Sequence, residues 1–343
     1  MIQSYLTRLL DKTDLSRQEA QTAMLEIMGG EVGPATMAGF LIALRMKGET
    51  VDEITGFAEA MREKMAPVSP KARPLVDTCG TGGDKVNTFN ISTAAALVAA
   101  GAGVAIAKHG NRAVSSACGS ADVLEALGVK LALTPQQIAD CIDEVGIGFM
   151  FAPGLHPAMK HAMPVRKEMG VRTVFNLLGP LANPACAQAQ VLGVYAPALT
   201  ESHAKVLKNL GSQRALVVHG MEGLDEISTA GPTQISELVD GEVKTYVVSP
   251  EEFDLPRVDI EDLRCGANAQ ENADMLIEVL QGKAGPRRDA VLLNSAAALI
   301  AAGKASDFAQ GLKMAAEAVD SGHALQKLES LRAYTEKAAA EQA

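Results

Sequence analysis

Two loops in this chain gather residue types that hold phosphate. The first, Asp77-Thr78-Cys79-Gly80-Thr81-Gly82-Gly83-Asp84, follows the apolar entry Leu75-Val76. Its glycines let the backbone approach a ligand closely and turn its amides toward an anion. The run Asn87-Thr88-Phe89-Asn90-Ile91-Ser92-Thr93 comes next and opens an Ala-rich helix. Its hydroxyls and amides, with the helix N-terminus, form a natural seat for phosphate. A glycine-rich turn with an ordinary Asn or Ser cap is the other reading of this loop taken alone. It is not a Walker loop, because no Gly-Lys-Ser/Thr follows, and it is not GxGxxG.

The second loop is Lys108-His109-Gly110-Asn111-Arg112-Ala113-Val114-Ser115-Ser116, with Gly119-Ser120 close behind. Two fixed cations, two hydroxyls and a glycine suit a ligand with several phosphate oxygens better than a single carboxylate. A solvated basic loop is the alternative. It is weakened because the loop interrupts an apolar run, where a cation needs a partner. A third signal, Asp225-Glu226, lies in His219-Gly220-Met221-Glu222-Gly223-Leu224-Asp225-Glu226-Ile227-Ser228. Adjacent carboxylates in a strand-end loop can hold Mg²⁺ ions that also bind pyrophosphate oxygens. A solvated charge pair is the competing reading.

The elements that must carry these loops change in kind along the chain. Before about Pro67 the pattern is helical: Ile2, Leu6, Leu9 and Leu10 share a face. Ser16 with Glu19, and Thr50 with Glu53, have capping-box spacing, and Gly48 is placed to end the helix running through Met37–Met46. Prolines 67, 70 and 74 mark a linker. From Leu75 short apolar β runs alternate with helices: 75–77, 104–107, 148–152, 191–195 and 215–218 read as buried strands. Thr134-Pro135 starts a helix between two of them. The expected class is α/β, a small all-helical domain plus a large domain with a mainly parallel sheet covered by helices. Ligands in such sheets sit at the carboxyl ends of strands, where the unusual loops fall. The predicted division is 1–69, joined by helices from about 160–185, and 70–343.

Composition narrows the function. The chain has 343 residues, is 48% hydrophobic but only 3% aromatic, lacks Trp, and carries a net charge of −10. That argues against an aromatic-rich β binding module and against nucleic acid, which needs a basic surface. Cys79, Cys118, Cys141, Cys186 and Cys265 have no CxxC spacing and read as reduced thiols. No secretory signal is read at the N-terminus, and the apolar stretch 93–107 is too short to span a bilayer. A cytoplasmic protein without membrane contact is expected.

Taken together, DTCGTGGD, NTFNIST, KHGNRAVSSACGSADVLEALG, HPAMKHAMPVRKEMGVRTVFNLLGPLANP and VVHGMEGLDEIS strongly resemble the anthranilate phosphoribosyltransferases. These segments run in family order from Asp77 to Ser228. The resemblance implies transfer of the phosphoribosyl group of phosphoribosyl pyrophosphate (PRPP) to the amine of anthranilate, in tryptophan biosynthesis. It places PRPP on Gly80, Gly83, Asp84, Thr88, Asn90, Ile91, Ser92, Thr93, Ser120 and the whole segment Lys108, His109, Gly110, Asn111, Arg112, Ala113, Val114, Ser115 and Ser116. Ser92, Asp225 and Glu226 are implied to hold two magnesium ions, largely through the ligand. Anthranilate is implied to meet Gly80, Asn111, His156 and Arg166, the last suited to pair with its carboxylate. His161, His203 and His323 are expected at the surface or an interface.

Under that resemblance, catalysis falls to Lys108, Asp225 and Glu226 as electrostatic groups with no clear general base, because the aromatic amine is already nucleophilic when neutral. His109 is expected to shape its loop. A homodimer through the helical domain is also implied. The run Ala35–Met46, apolar around most of a helix, prompts the same expectation, with Phe40 and Leu41 facing a partner or the 165–184 segment. The alternatives are a pyrimidine nucleoside phosphorylase and a non-catalytic nucleic-acid-binding member of the same fold.

Overall fold

The computed structural model describes residues 1–82, 86–113 and 118–342. Four helices, α1 (Ile2–Leu10), α2 (Arg17–Gly29), α3 (Pro34–Lys47) and α4 (Val51–Lys64), open the chain. Ser16/Glu19 and Thr50/Glu53 form the expected reciprocal capping boxes, and Gly48 caps α3 at φ +91°. Phe40 of α3 meets Phe57 of α4 edge to face at 6.2 Å.

The rest is built on β1 (Leu75–Gly80), β2 (Ala105–Gly110), β3 (Ile147–Phe151), β4 (Ala189–Gly193), β5 (Arg214–Gly220), β6 (Thr233–Val239) and β7 (Glu242–Val248). Among the described residues these form one sheet of order β3-β2-β1-β4-β5-β6-β7. The first five strands are mutually parallel, and β6 and β7 add an antiparallel edge that the sequence pattern did not lead us to expect. Its signal is nonetheless present: Asp240-Gly241, both at positive φ, is the two-residue hairpin turn that Asp-Gly favours.

Period-two alternation sends successive side chains to opposite faces. Val191, Leu216 and Val218 enter one apolar cluster together with α5 (Ile91–Gly101) and the helix Pro286–Ala301. Leu192, Ala215 and Val217 enter another, which is continuous with the core of α1–α4. Val165, Val174, Phe175 and Leu178 lie in that second cluster, so the 162–182 segment mortars the bundle to the sheet. Phe40 and Leu41 are fully buried in this single chain. Of the two covers expected for them, the one within the chain is seen: α3 packs against α1 and the helix Met163–Met169, Phe40 meets Phe57 of α4, and the 162–182 segment shares their cluster. No helix among the described residues is long and apolar enough to cross a membrane.

Candidate active site

Strand order reverses between β1 and β4: the chain moves outward from β1 through β2 to β3, then returns to the other side of β1. Such a switch leaves a crevice at the carboxyl ends of the two central strands. Gly80 and Gly193, the last residues of β1 and β4, pair in register there. The loop after β5 folds over both. A Cβ on Gly80 would lie 2.3 Å from Asp225 Oδ2, and one on Gly193 only 1.6 Å from the Asp225 carbonyl oxygen. At Gly193 the obstacle is backbone and only glycine fits, whereas at Gly80 it is the Asp225 side chain.

The carboxylate pair is thereby tied to the first phosphate loop. Asp225 Oδ2 accepts the Gly82 N–H at 3.1 Å, and Glu226 Oε1 accepts the Ser92 N–H at 3.1 Å. Burial raises the Asp225 carboxyl above its usual range, and the Gly82 N–H opposes that shift. Ser92 stands in the first turn of α5, whose N-cap residue Asn90 makes no side-chain capping bond. Thr78 donates its hydroxyl to the Ser92 carbonyl at 3.0 Å. The buried Asn90 Oδ1 and Thr93 Oγ1 have no hydrogen-bond partner among the described residues. Thr88 bridges to Arg264, which anchors the outer limb of the loop.

Lys108 is buried beneath this turn, with Nζ 2.5 Å from the Thr78 carbonyl and 3.4 Å from Ser92 Oγ. Desolvation pushes its ammonium down, opposed by the charges of Asp77 and Glu226. Asp77, raised by its own burial, accepts the His109 N–H at 3.1 Å and an Asn183 amide proton at 2.8 Å. Asn183 also donates to the Ala107 carbonyl at 2.9 Å, so it braces β1 against β2. Sequence reasoning missed Asn183, because nothing local distinguishes it.

His109 and His156 are both buried, their Nε2 atoms 3.2 Å apart. Burial lowers His109 to about 3 and His156 to about 4, so both are neutral near pH 7. The contact joins the end of β2 to the turn that follows the helix Ala152–Leu155. Gly110 closes β2, and a Cβ there would lie 2.3 Å from Ser120 Oγ. Asn111 carries the chain to Arg112, whose guanidinium binds Asp122 at 3.0 Å and Glu125 at 2.8 Å. The second loop therefore does not present two free cations: Lys108 lies below, and Arg112 is ion-paired to the next helix, Ser120–Ala126. Asp122 Oδ2 also accepts the N–H groups of Ala113 and Gly119, both at 2.9 Å. Gly83, Asp84, Val114, Ser115 and Ser116 lie outside the described residues.

Arg166 lies on the helix Met163–Met169, with its guanidinium 5.2 Å from the Phe175 ring. Its charge is disfavoured by burial alone; no carboxylate among the described residues offsets it. His203, expected at a surface or interface, is instead fully buried, its Nδ1 lying 3.0 Å from the Leu199 carbonyl.

Oxygen-only donors are the hard ligands that Mg²⁺ prefers. Ser92, Asp225 and Glu226 supply that chemistry on two loops joined by a hydrogen bond. No group of three or more His, Cys, Asp or Glu that could hold a metal occurs among the described residues. An ion here would draw its remaining ligands from a bound phosphate or from water.

Residues 72–325 match the glycosyl transferase family a/b domain, and residues 3–65 match the helical bundle domain of the same family. An anthranilate phosphoribosyltransferase from Symbiobacterium thermophilum is 55% identical over 342 residues, covering 100% of each chain. The structure of the Thermus thermophilus anthranilate phosphoribosyltransferase is similar with a TM-score of 0.91 at 46% identity, over 96% of this chain and 99% of that one. The Saccharomyces cerevisiae anthranilate phosphoribosyltransferase in complex with PRPP and Mg gives 0.90 at 30% identity, over 98% of both chains. With full-length identity of this order, and the glycine, lysine and carboxylate segments gathered at one crevice, the chain belongs to the anthranilate phosphoribosyltransferase family.

Proposed function

We infer that this chain joins the amine of anthranilate to the anomeric carbon of PRPP, giving N-(5-phosphoribosyl)anthranilate and pyrophosphate. The C–N bond forms as the carbon–oxygen bond to pyrophosphate breaks, and the amine then releases a proton to solvent or product. The observation that carries the reading is the meeting of Lys108, Ser92, Asp225 and Glu226 at the switch-point crevice.

Each residue has a physical task. Gly80, Gly83 and Asp84 are assigned to PRPP, the glycines because they let backbone amides approach an anion closely. Asn90, Ile91, Ser92 and Thr93 offer the first turn of α5 to a phosphate, and Thr88 shapes its approach. Lys108 draws negative charge toward the buried turn, and the segment from His109 to Ser116, with Ser120, is assigned the remaining PRPP contacts. Ser92, Asp225 and Glu226 hold two Mg²⁺ ions largely through the ligand. When bound, those ions neutralise charge on the departing pyrophosphate. Arg166 pairs with the anthranilate carboxylate, and Gly80, Asn111 and His156 line its approach. Preorganised charge and orientation carry the rate, and no residue serves as general base.

The enzyme acts in tryptophan biosynthesis, in the cytoplasm, as a homodimer through the helical domain of residues 1–69 joined by 160–185. The test is loss of anthranilate fluorescence with PRPP and Mg²⁺, against controls lacking each. Phosphorolysis of thymidine or uridine, with anthranilate untouched, would replace this reading by that of a nucleoside phosphorylase.

A further inference from the structure

Asn294 is a polar residue in the otherwise apolar run Val291-Leu292-Leu293-Asn294-Ser295-Ala296-Ala297, on the helix Pro286–Ala301. It is 2% exposed. Its Oδ1 accepts the Ile227 N–H at 2.9 Å, and its Nδ2 donates to the Ile227 carbonyl at 2.9 Å. The same Nδ2 donates to the Ala290 carbonyl, one turn back, at 2.9 Å. Both amide protons are thus used, and the side chain grips both polar groups of a single residue.

That residue immediately follows Glu226. Gripping the N–H and the carbonyl together fixes the position and the rotation of the Ile227 backbone. On the other side, Glu226 accepts the Ser92 N–H from α5. Helix Pro286–Ala301 packs against α5 in one apolar cluster. A single rigid helix therefore sets the carboxylate loop in register with the first turn of α5. Packing alone does not call for an amide here. A leucine would serve the core better, but it would leave both Ile227 groups unpaired.

We propose that Asn294 is a positioning residue for magnesium–pyrophosphate binding, fixing Glu226 and Asp225 relative to Ser92. The proposal rests on the reading that this carboxylate pair holds the metal. Asn294 acts through Ile227 and touches neither substrate nor ion. Residues that orient metal ligands typically cost 10–100-fold in metal affinity or activity when replaced.

The test uses the full chain carrying Asn294→Ala or Asn294→Asp, the latter keeping size and acceptor but losing both donors. Mn²⁺ binding in the presence of pyrophosphate is read by electron paramagnetic resonance, with Michaelis constants and thermal midpoints alongside. Ser295→Ala is the control: it is equally buried on the same helix, and its hydroxyl donates to the Val291 carbonyl at 2.7 Å and reaches the Ala95 carbonyl of α5 at 3.5 Å, so it touches α5 but not the carboxylate loop. Both Asn294 variants should weaken Mn²⁺–pyrophosphate binding and raise the PRPP constant about 10–100-fold. The anthranilate constant should stay unchanged, and Ser295→Ala should move neither. Undiminished Mn²⁺ binding in a folded Asn294 variant, or an equal loss in Ser295→Ala, overturns the proposal. If the Ala variant does not fold, the Asp variant decides. Asp225→Asn with Glu226→Gln separates the two readings. If that double variant still binds Mn²⁺, the metal site itself is elsewhere and the proposal falls with it. If it loses Mn²⁺ while the Asn294 variants keep it, only the role of Asn294 falls.

Discussion

The Asp225 carbonyl oxygen lies over Gly193 with no room for a side chain: an added Cβ would stand 1.6 Å away. Backbone is the obstacle, so Gly193→Ala must move the whole loop that carries Asp225 and Glu226. Gly80→Ala meets only the Asp225 carboxylate, at 2.3 Å, a group that can rotate aside. The expected order is therefore unequal. Gly193→Ala should lose nearly all turnover and lower the thermal midpoint, whereas Gly80→Ala should lose turnover with a smaller change in stability. Gly33, with nothing within 4 Å of an added Cβ, supplies the control. Equal stability losses at 80 and 193 would contradict this account of the crevice.

The loops were legible in the sequence because their chemistry is local: glycines, hydroxyls and a lysine stand consecutively after apolar runs. What joins them is not local. The adjacency of β1 and β4 is set by strand order, which no single segment encodes, and it alone puts Asp225 beside Gly80. Asn183 and Asn294 were invisible for the same reason, since their partners are 106 and 67 residues away. The pairing of Arg112 was not read from the sequence either, although its partners Asp122 and Glu125 stand in the first and second turns of the following helix.

Arg166 offers a test of substrate orientation. Its guanidinium loses solvation, and no carboxylate among the described residues compensates, which is the condition of a site awaiting an anion. A charged hydrogen bond is worth about 1.5–3 kcal/mol, so Arg166→Ala should raise the anthranilate constant about 10- to 100-fold. The PRPP constant should change little. Steady-state constants measured for each substrate at saturation of the other decide it. A rise confined to PRPP would move Arg166 to the phosphate side.

Acid should destabilise the protein through its buried histidines. His203 is held neutral, lowered by burial to about 4, and His109 and His156 are lowered to about 3 and about 4. Above about pH 6.5, the ordinary histidine value, neither folded nor unfolded chain binds these protons, and stability is undiminished. As pH falls toward 4 the unfolded chain binds them and the native chain does not. Each histidine then costs about 1.4 kcal/mol per pH unit. Asp77 and Asp225, raised by burial, act in the opposite direction, but equally in a histidine variant. Urea unfolding of His203→Gln and wild type between pH 7 and 4.5 should show a shallower decline in the variant. Parallel declines would mean that His203 is protonated in the native state.

Assembly can be tested now that α3 has an inside and an outside. Phe40 and Leu41 face inward, so a glutamate at either position buries an unpaired charge and reports on folding, not on association. Among the apolar groups left in water are Leu10 at the end of α1, Met46 near the end of α3 and Met163 at the start of its helix, 68%, 82% and 48% exposed. Both α1 and the Met163–Met169 helix pack against α3, so these side chains belong to contiguous elements. Singly exposed apolar residues are ordinary, but several on adjoining elements mark a surface suited to a partner. The expected partner is a second copy of the chain. Leu10→Glu combined with Met46→Glu should then give monomer by light scattering, with the thermal midpoint of an intact fold. Phe40→Glu should instead lose several kcal/mol of stability, the cost of an uncompensated buried charge. A wild-type chain that is monomeric at micromolar concentration, or a doubly substituted chain that remains dimeric, would place the association elsewhere or remove it.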